Sequence, residues 1–459
     1  MMHLILAAGG LETEKRLLIV LVQLAVIIGA ARLFANLFRK LGQPAAVGEI
    51  AAGLILGPSV LGKLEKAGYL PQVSGHIFDP SVAPVFGVMS QIGLIFLLFL
   101  IGLEFDFAHV RSKGRAALSI SIAGIAVPFG SGALLGHFMH PHLEKQVGEL
   151  GFILFMGTAM SITALPILGR MMMELNIQRS RIGAITITSA AVDDATGWIL
   201  LAAVSALVTA HFQILDSVRM IALTVGFAAA MIWLVRPLMR RWLDYAMRSS
   251  DELSPNVMTV VFIVLFLCSI ATNLIGIFAI FGAFLLGAIL SDHHRFREAA
   301  GRSLHGFITV FFLPIFFTYT GLRTDIGTLT STQMWLFAGA VSAVAILGKF
   351  GGCTLAAWLS GFPSREAACI GLMMNTRALM ELVVINVGAD LGVITPSVFC
   401  MLVMMALLTT VMTTPLLILS MRGTELEPLI NTSGFRAPFV SFPRPGGFPP
   451  AEVESSQRA

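Results

Sequence analysis

Along this chain apolar runs of about 20 residues recur from one end to the other, broken by short stretches where charge, glycine and proline collect. The runs are continuous rather than alternating, and each is long enough to cross ~30 Å of hydrocarbon. Thirteen stretches meet that description: 17–38, 46–62, 83–103, 116–138, 151–172, 182–208, 215–235, 257–273, 275–291, 305–322, 335–360, 366–388 and 396–420. Connectors such as "SGFPS" (360–364) and "DLGVITPS" (390–397) separate them. Lipid admits only helices or closed barrels, and barrel strands would alternate apolar with polar positions. The pattern therefore predicts an all-α polytopic membrane protein.

The charged positions between the runs carry a second pattern. Arg39 and Lys40; Arg111, Lys113 and Arg115; Arg170, Arg179 and Arg181; Arg236, Arg240, Arg241 and Arg248; Arg295, Arg297 and Arg302; Arg365; and Arg422 fall on alternate connections. The opposite connections hold only Lys15, Arg16, Lys63, Lys66, Lys145 and Arg323, with Arg219 close by. Positive residues stay inside, which places the N-terminus outside and the C-terminus in the cytoplasm of a bacterial-type inner membrane. An odd number of spans is consistent with this, since it puts the two termini on opposite sides. The net charge of +4 is thus spent on topology, and nucleic-acid binding is excluded as its explanation.

Composition adds little that the pattern had not implied. The chain is 56% hydrophobic and 12% charged, against roughly a quarter charged in soluble domains. Cys268, Cys353, Cys369 and Cys400 lie in or beside apolar runs without metal-ligand spacing and read as packing residues. "MMHLILAAGG" lacks the basic start of a cleavable signal. Residues 423–459, ending "RPGGFPPAEVESSQRA", read as a disordered cytoplasmic tail with no soluble domain after it.

Two short segments repeat. "FLLFLIGLEFD" (96–106) is echoed by "PIFFTYTGLRTD" (314–325), each closing on Gly-Leu-x-x-Asp, and "SITAL" (161–165) is echoed by "NTRAL" (375–379). The members of each pair lie seven spans apart and so run in opposite directions. Six plus six spans in inverted repeat, joined by the seventh, is the expectation, and it is an architecture of secondary transporters.

Against this apolar background five ionisable groups lie deep within spans: Asp193, Asp194, Lys349, Arg377 and Glu381. Each costs at least ~2.5–3.5 kcal/mol to insert, so each is expected to be paired, functional or both. Asp193 and Asp194 adjoin in "AAVDDATGW" (190–198) and point ~100° apart on a helix. One is expected to meet a cation on another helix, with Lys349 the natural partner, and the other to face an aqueous cavity. Such a cluster titrates as a unit and holds protons or a metal cation in competition. Neutral oxygens for an alkali cation come from Thr158, Ser161 and Thr163, just before the helix breaker Pro166, and from Asn375 and Thr376. A plain proline kink lined with packing hydroxyls is the competing explanation. Arg377 and Glu381, four apart, form either a structural pair or part of the transport machinery. Glu49, Glu104 and Asp106 read as anchors or vestibule charges. His137, His140, His142, His293 and His294 read as solvated histidines in connections.

Taken together, "GEIAAGLILGPSVLG" (48–62), "SITALPILGR" (161–170), "VDDATGW" (192–198), "LPIFFTYTGLRTD" (313–325), "GKFGG" (348–352) and "NTRALMELVVINVG" (375–388) resemble the monovalent cation:proton antiporter-2 family of the sodium/proton exchanger superfamily, and within it NapA-like bacterial antiporters. The resemblance runs from about residue 17 to 420. It implies thirteen helices, with unwound, crossing fifth and twelfth spans, in a homodimer. It implies a dimerisation scaffold over 1–106 and 250–325, a core over 116–208 and 335–420 that moves like an elevator, and a linker helix over 215–235. Asp194 would carry cation and proton by turns. Asp193 would pair with Lys349 until the cation binds, and Thr163 and Ser161 would lie beside the ion. Asp-Asp with a lysine resembles the electrogenic branch, which exchanges two protons for one sodium. Transported sodium and protons, rather than any cofactor, are the ligands implied. Potassium/proton antiport is the alternative, although many potassium-efflux relatives continue into a nucleotide-binding domain. Two other classes compete from the residues alone. An intramembrane aspartyl protease needs its carboxylates on separate helices, and a cation channel needs no alternating access.

Overall fold

The computed structural model describes residues 2–69, 80–104, 114–143, 148–175, 177, 180–209, 214–248, 254–377 and 379–428, and among these there is no strand. The helices, in chain order, are α1 (Met2–Lys40), α2 (Ala45–Leu56), α3 (Leu61–Lys66), α4 (Ala83–Glu104), α5 (Gly114–Leu143), α6 (Glu149–Ser161), α7 (Leu165–Glu174), α8 (Arg181–Thr209) and α9 (Ile214–Ala230). They continue as α10 (Arg236–Ala246), α11 (Pro255–Ile275), α12 (Ala279–Leu290), α13 (His294–Phe307), α14 (Leu313–Arg323), α15 (Thr332–Leu359), α16 (Ser364–Met374), α17 (Leu379–Asp390) and α18 (Pro396–Ser420). Single π-helical turns, Met231–Val235 and Ile308–Phe312, carry α9 into α10 and α13 into α14 without a break.

Among the described residues, ten helical stretches are long and apolar enough to cross a membrane. The runs at 151–172, 275–291 and 366–388 do not give such a helix. The second yields α12, only 12 residues long. The first is cut into α6 and α7 by non-helical residues 162–164, and the third is interrupted between α16 and α17, where residues 375–377 leave the helix. The first cut is written in the sequence: Pro166 has no N–H to offer the carbonyl of Ile162, whose backbone is extended (φ −81°, ψ 144°). The second has no proline. Local signals do set other boundaries. Ser331 accepts the N–H of Met334 (3.2 Å) to start α15, and Gly276 ends α11 at φ 102°.

Packing sorts the helices into two groups. In one, α2 lies between α1 and α14, and α4 packs on α12 and α14, with α11 beside α12. In the other, α5 lies along α6, α8 and α15, while α16 and α17 pack on α18 and α15 on both α16 and α18. The first group meets backbone to backbone. A Cβ on Gly53 would run into the Thr318 carbonyl, and one on Gly287 into the carbonyl of Phe99. Apolar side chains on the outside, among them Trp233, Leu274, Leu336 and Leu359, have the exposure expected of a lipid-facing surface.

Two expectations about connections change. The tail does not begin at 423: residues 421–428 fold back on the helices. Glu425 accepts the backbone N–H of Ile182 at the start of α8 (2.7 Å), Arg365 donates to the Arg422 carbonyl (3.0 Å), and Leu426 is wholly buried. A leucine with core to cover and a carboxylate at a helix N-terminus outweigh the polar composition around them. Residues 429–459 lie outside the described residues, as do Asp106, Arg111, Lys113, Lys145 and Arg179 and the side chain of Glu104. His137, His140 and His142 ride on the last turns of α5 rather than in a loop, with His137 paired to Glu149 (2.9 Å) in an exposed position. His293 caps α13, receiving the N–H of Phe296 at 3.2 Å, and meets Asp244 at 3.1 Å.

A candidate ion site where the broken helices meet

Four elements converge on the middle of α8. The break between α6 and α7 crosses the break between α16 and α17, and the two are tied directly, Ala164 N–H donating to the Thr376 carbonyl (3.1 Å). Thr410 of α18 donates to the Arg377 carbonyl (2.9 Å) and fixes the second break from the other side. Each break exposes backbone that a continuous helix would have satisfied, and each supplies part of what the other lacks.

Asp193 and Asp194 are both wholly buried, and their surroundings differ completely. Asp193 accepts hydrogen bonds from Ser121 of α5 (2.8 Å) and from Thr163 in the first break (2.7 Å), and forms an ion pair with Lys349 of α15. Lys349 has three N–H donors, and the other two go to the carbonyls of Gly124 (2.8 Å) and Ser161. Such a pair survives burial because every donor and acceptor is met. Gly124 is part of the fit: a Cβ there would sit 2.6 Å from Cys353 Sγ and 3.8 Å from both Asp193 Oδ2 and Lys349 Nζ.

Neither carboxylate oxygen of Asp194 has a hydrogen-bond partner among the described residues. One turn along α8, Trp198 Nε1 neighbours that carboxylate without reaching hydrogen-bond geometry, while its ring packs on Phe281 (5.6 Å) and Phe284 (5.8 Å) of α12. The expectation that one carboxylate faces water is therefore not met in this conformation. A cavity of about 390 Å³ does open between the two helix groups, lined by Gln91, Tyr319, Arg323, Asn386 and Asp390 among others. Asp194 is not among its lining residues, and beside it Trp198 carries its ring onto α12.

The carbonyls freed at the end of α6 are likewise not open. Arg377 donates to Ala159 O (3.0 Å) and Met160 O, and Lys349 takes Ser161 O. Two buried cations thus sit on the negative end of a half-helix, which their charge stabilises. Thr158 and Ser161 turn their hydroxyls onto their own helix, bonding Leu154 O (2.8 Å) and Thr158 O (2.9 Å). Of the expected neutral ligands only Thr163 bonds a carboxylate among the described residues, and it is that of Asp193. Asn375 Oδ1 and Thr376 Oγ1 are buried without partners among the described residues. Arg377 and Glu381 do pair, at 3.0 Å. Glu49 is buried in α2, and its backbone carbonyl accepts from Thr318 (3.1 Å).

Ser121, Gly124 and Thr410 escaped the reading of the sequence. The signal for Thr410 was visible, since "TTVMTTP" (409–415) puts four threonines in an apolar run. Ser121 and Gly124 looked like ordinary helix-packing residues, and only the arrival of α8 and α15 beside them gives them partners.

The sodium/hydrogen exchanger transmembrane family matches this chain over residues 24–419. The chain belongs to that family. That family is one of cation/proton antiporters, transporters and not enzymes, which removes the protease alternative. It is 37% identical over 407 residues to the Na(+)/H(+) antiporter NhaS4 of Synechocystis sp., covering 88% of this chain and 97% of that protein. It is 30% identical over 414 residues to the K(+)/H(+) antiporter 1 of Saccharomyces cerevisiae, covering 88% of this chain but 46% of the yeast protein, so it spans about half of that relative. Its fold is similar to that of the sodium proton antiporter MjNhaP1 from Methanocaldococcus jannaschii, with a TM-score of 0.63 at 16% identity over 92% of this chain and all of that one.

Proposed function

We propose that this protein exchanges sodium for protons at Asp194 by alternating access. One feature carries the reading: a wholly buried carboxylate whose oxygens have no hydrogen-bond partner among the described residues, next to a fully bonded Asp193–Lys349 pair at a crossing of two broken helices. An ionised carboxylate left so would cost several kcal/mol. It is stable holding a proton or a cation, and each displaces the other. Competition of that kind becomes exchange once the site opens to the two sides of the membrane in turn.

In the fuller cycle a sodium ion on Asp194 draws Asp193 toward it. Lys349 then gives up its partner and its proton. Two protons move against one sodium, so one net charge crosses per turnover. Ser161 and Thr163 lend oxygens to the ion, Thr158, Asn375 and Thr376 support them, and the Arg377–Glu381 pair braces the crossing. The helices of 116–208 and 335–420 travel as one body against 1–106 and 250–325, with 215–235 as linker, in an inverted six-plus-six repeat. Two copies associate as a homodimer in a bacterial inner membrane, N-terminus outside and C-terminus cytoplasmic.

The test is a pH-sensitive dye inside proteoliposomes, with sodium, lithium and potassium added in turn. Sodium should dissipate an imposed proton gradient, and Asp194→Asn should abolish the response while the protein stays folded. Normal exchange by that variant refutes the assignment. A response to potassium in preference to sodium reassigns the cargo, the activity that the yeast relative's name describes. Indifference of the rate to an imposed membrane potential would overturn the two-for-one exchange.

A further inference from the structure

Arg323 closes α14 in the first helix group, and its guanidinium reaches across to the second. It donates to Asp390 Oδ1 from both terminal nitrogens (3.3 Å each) and to Asn386 Oδ1 (3.1 Å), both on α17. It also lies 5.6 Å over the ring of Phe399 on α18. Asn386 returns a bond in the other direction, its amide donating to Thr320 Oγ1 of α14 (3.0 Å). Arg323, Asn386 and Asp390 stand in the wall of the 390 Å³ cavity, together with Gln91, Asn273 and Tyr319.

The placement of Asp390 matters. It is the last residue of α17, where the negative end of the helix disfavours a carboxylate, whereas Arg323 is the last residue of α14, where a cation is favoured. Helix stability alone does not account for an acid there. A partner on another element does. The pair is also of a size suited to repeated breaking: Arg323 and Asp390 are about one-third exposed (34% and 37%), so water screens it and holds it to a modest strength. The buried Asp193–Lys349 pair, with no exposure, has no such ease.

We propose that Arg323, Asp390 and Asn386 form a latch that holds the cavity open between the two helix groups, and that the exchange cycle breaks and remakes it. This rests on the proposed movement of one group against the other. Arg323 and Asp390 are positioning residues in that cycle, since they act on the cavity and not on the ion bound at Asp194. Sliding of α17 past α14 must sever the bonds to Asp390 and Asn386 together, because all of them leave the same pair of helices.

The test reads the cavity and not transport. Ser90 lines the cavity and is otherwise buried, so Ser90→Cys reports its opening to a water-soluble maleimide in nanodiscs. Its rate is taken relative to Tyr69→Cys, a position 79% exposed, over the slow background of four buried native cysteines. Added to Ser90→Cys, Arg323→Gln and Asp390→Asn should each slow its labelling by about twofold to fivefold, the range a partly exposed ion pair can shift an equilibrium. The swapped pair Arg323→Asp with Asp390→Arg should recover at least half of the loss. Unchanged labelling in both single variants overturns the latch, and so does a swapped pair as slow as the singles. Labelling needs no bound cation and no turnover, so Asp194→Asn failing to stop exchange would leave this result fully readable.

Discussion

At Arg377 a single side chain holds three things at once: the carboxylate of Glu381 and the carbonyls of Ala159 and Met160. Removing one member of a buried pair leaves the other charge uncompensated, which costs about 3–5 kcal/mol. Arg377→Met should therefore lower the melting midpoint in detergent sharply, and adding Glu381→Met should restore a substantial part. If the double variant melts as low as the single one, the carbonyl bonds and not the ion pair carry the stability. Lys349→Ala is expected to act differently, because its partner Asp193 keeps Ser121 and Thr163. Proton uptake per sodium should fall while the order of preference among sodium, lithium and potassium stays as in the native protein. Proteoliposome flux ratios check this, and an inverted cation preference would contradict it.

At the scale of elements, helices of the first group approach through glycine. A Cβ on Gly321 would meet the Ile50 carbonyl and one on Gly53 the Thr318 carbonyl, both backbone atoms that cannot swing aside. Gly53→Ala should cost about 1–3 kcal/mol by overpacking, read as a fall in the melting midpoint. Gly226→Ala on α9, with nothing within 4 Å, should leave it unchanged or raise it slightly. Equal effects at the two sites would mean that close approach is not what Gly53 provides. Proline acts on elements too. Pro415 has no N–H for the carbonyl of Val411, and Gln43 from the turn before α2 supplies one instead (3.2 Å).

That bond gives the whole molecule another bridge between its helix groups, since Gln43 adjoins α2 while Val411 belongs to α18. If one group slides against the other, joining them must stop the cycle. Gln43→Cys and Val411→Cys bridged by a short bis-maleimide should block sodium-driven proton flux, whereas the same cysteines capped singly should not. Undiminished flux through the bridged protein would rule out relative motion of these two segments.

How much of this was legible beforehand depends on the kind of interaction. Continuous apolar runs fixed the class of fold, since lipid leaves the backbone no alternative to helices, and buried charge in those runs marked Asp193, Asp194 and Lys349 as functional candidates. Pro166 announced the first break because a missing N–H is a local fact. The break after Met374 has no proline behind it and is held by Ala164 and Thr410 from distant parts of the chain. The same holds for the choice between the aspartates. Adjacent carboxylates are equivalent as sequence, and only the arrival of α5, α15 and the first helix break beside α8 gave Asp193 its hydrogen-bond partners and left Asp194 none among the described residues. Local composition and backbone chemistry were sufficient for what each segment becomes; which groups meet, and which acid is left bare, is a property of packing between segments far apart in the chain.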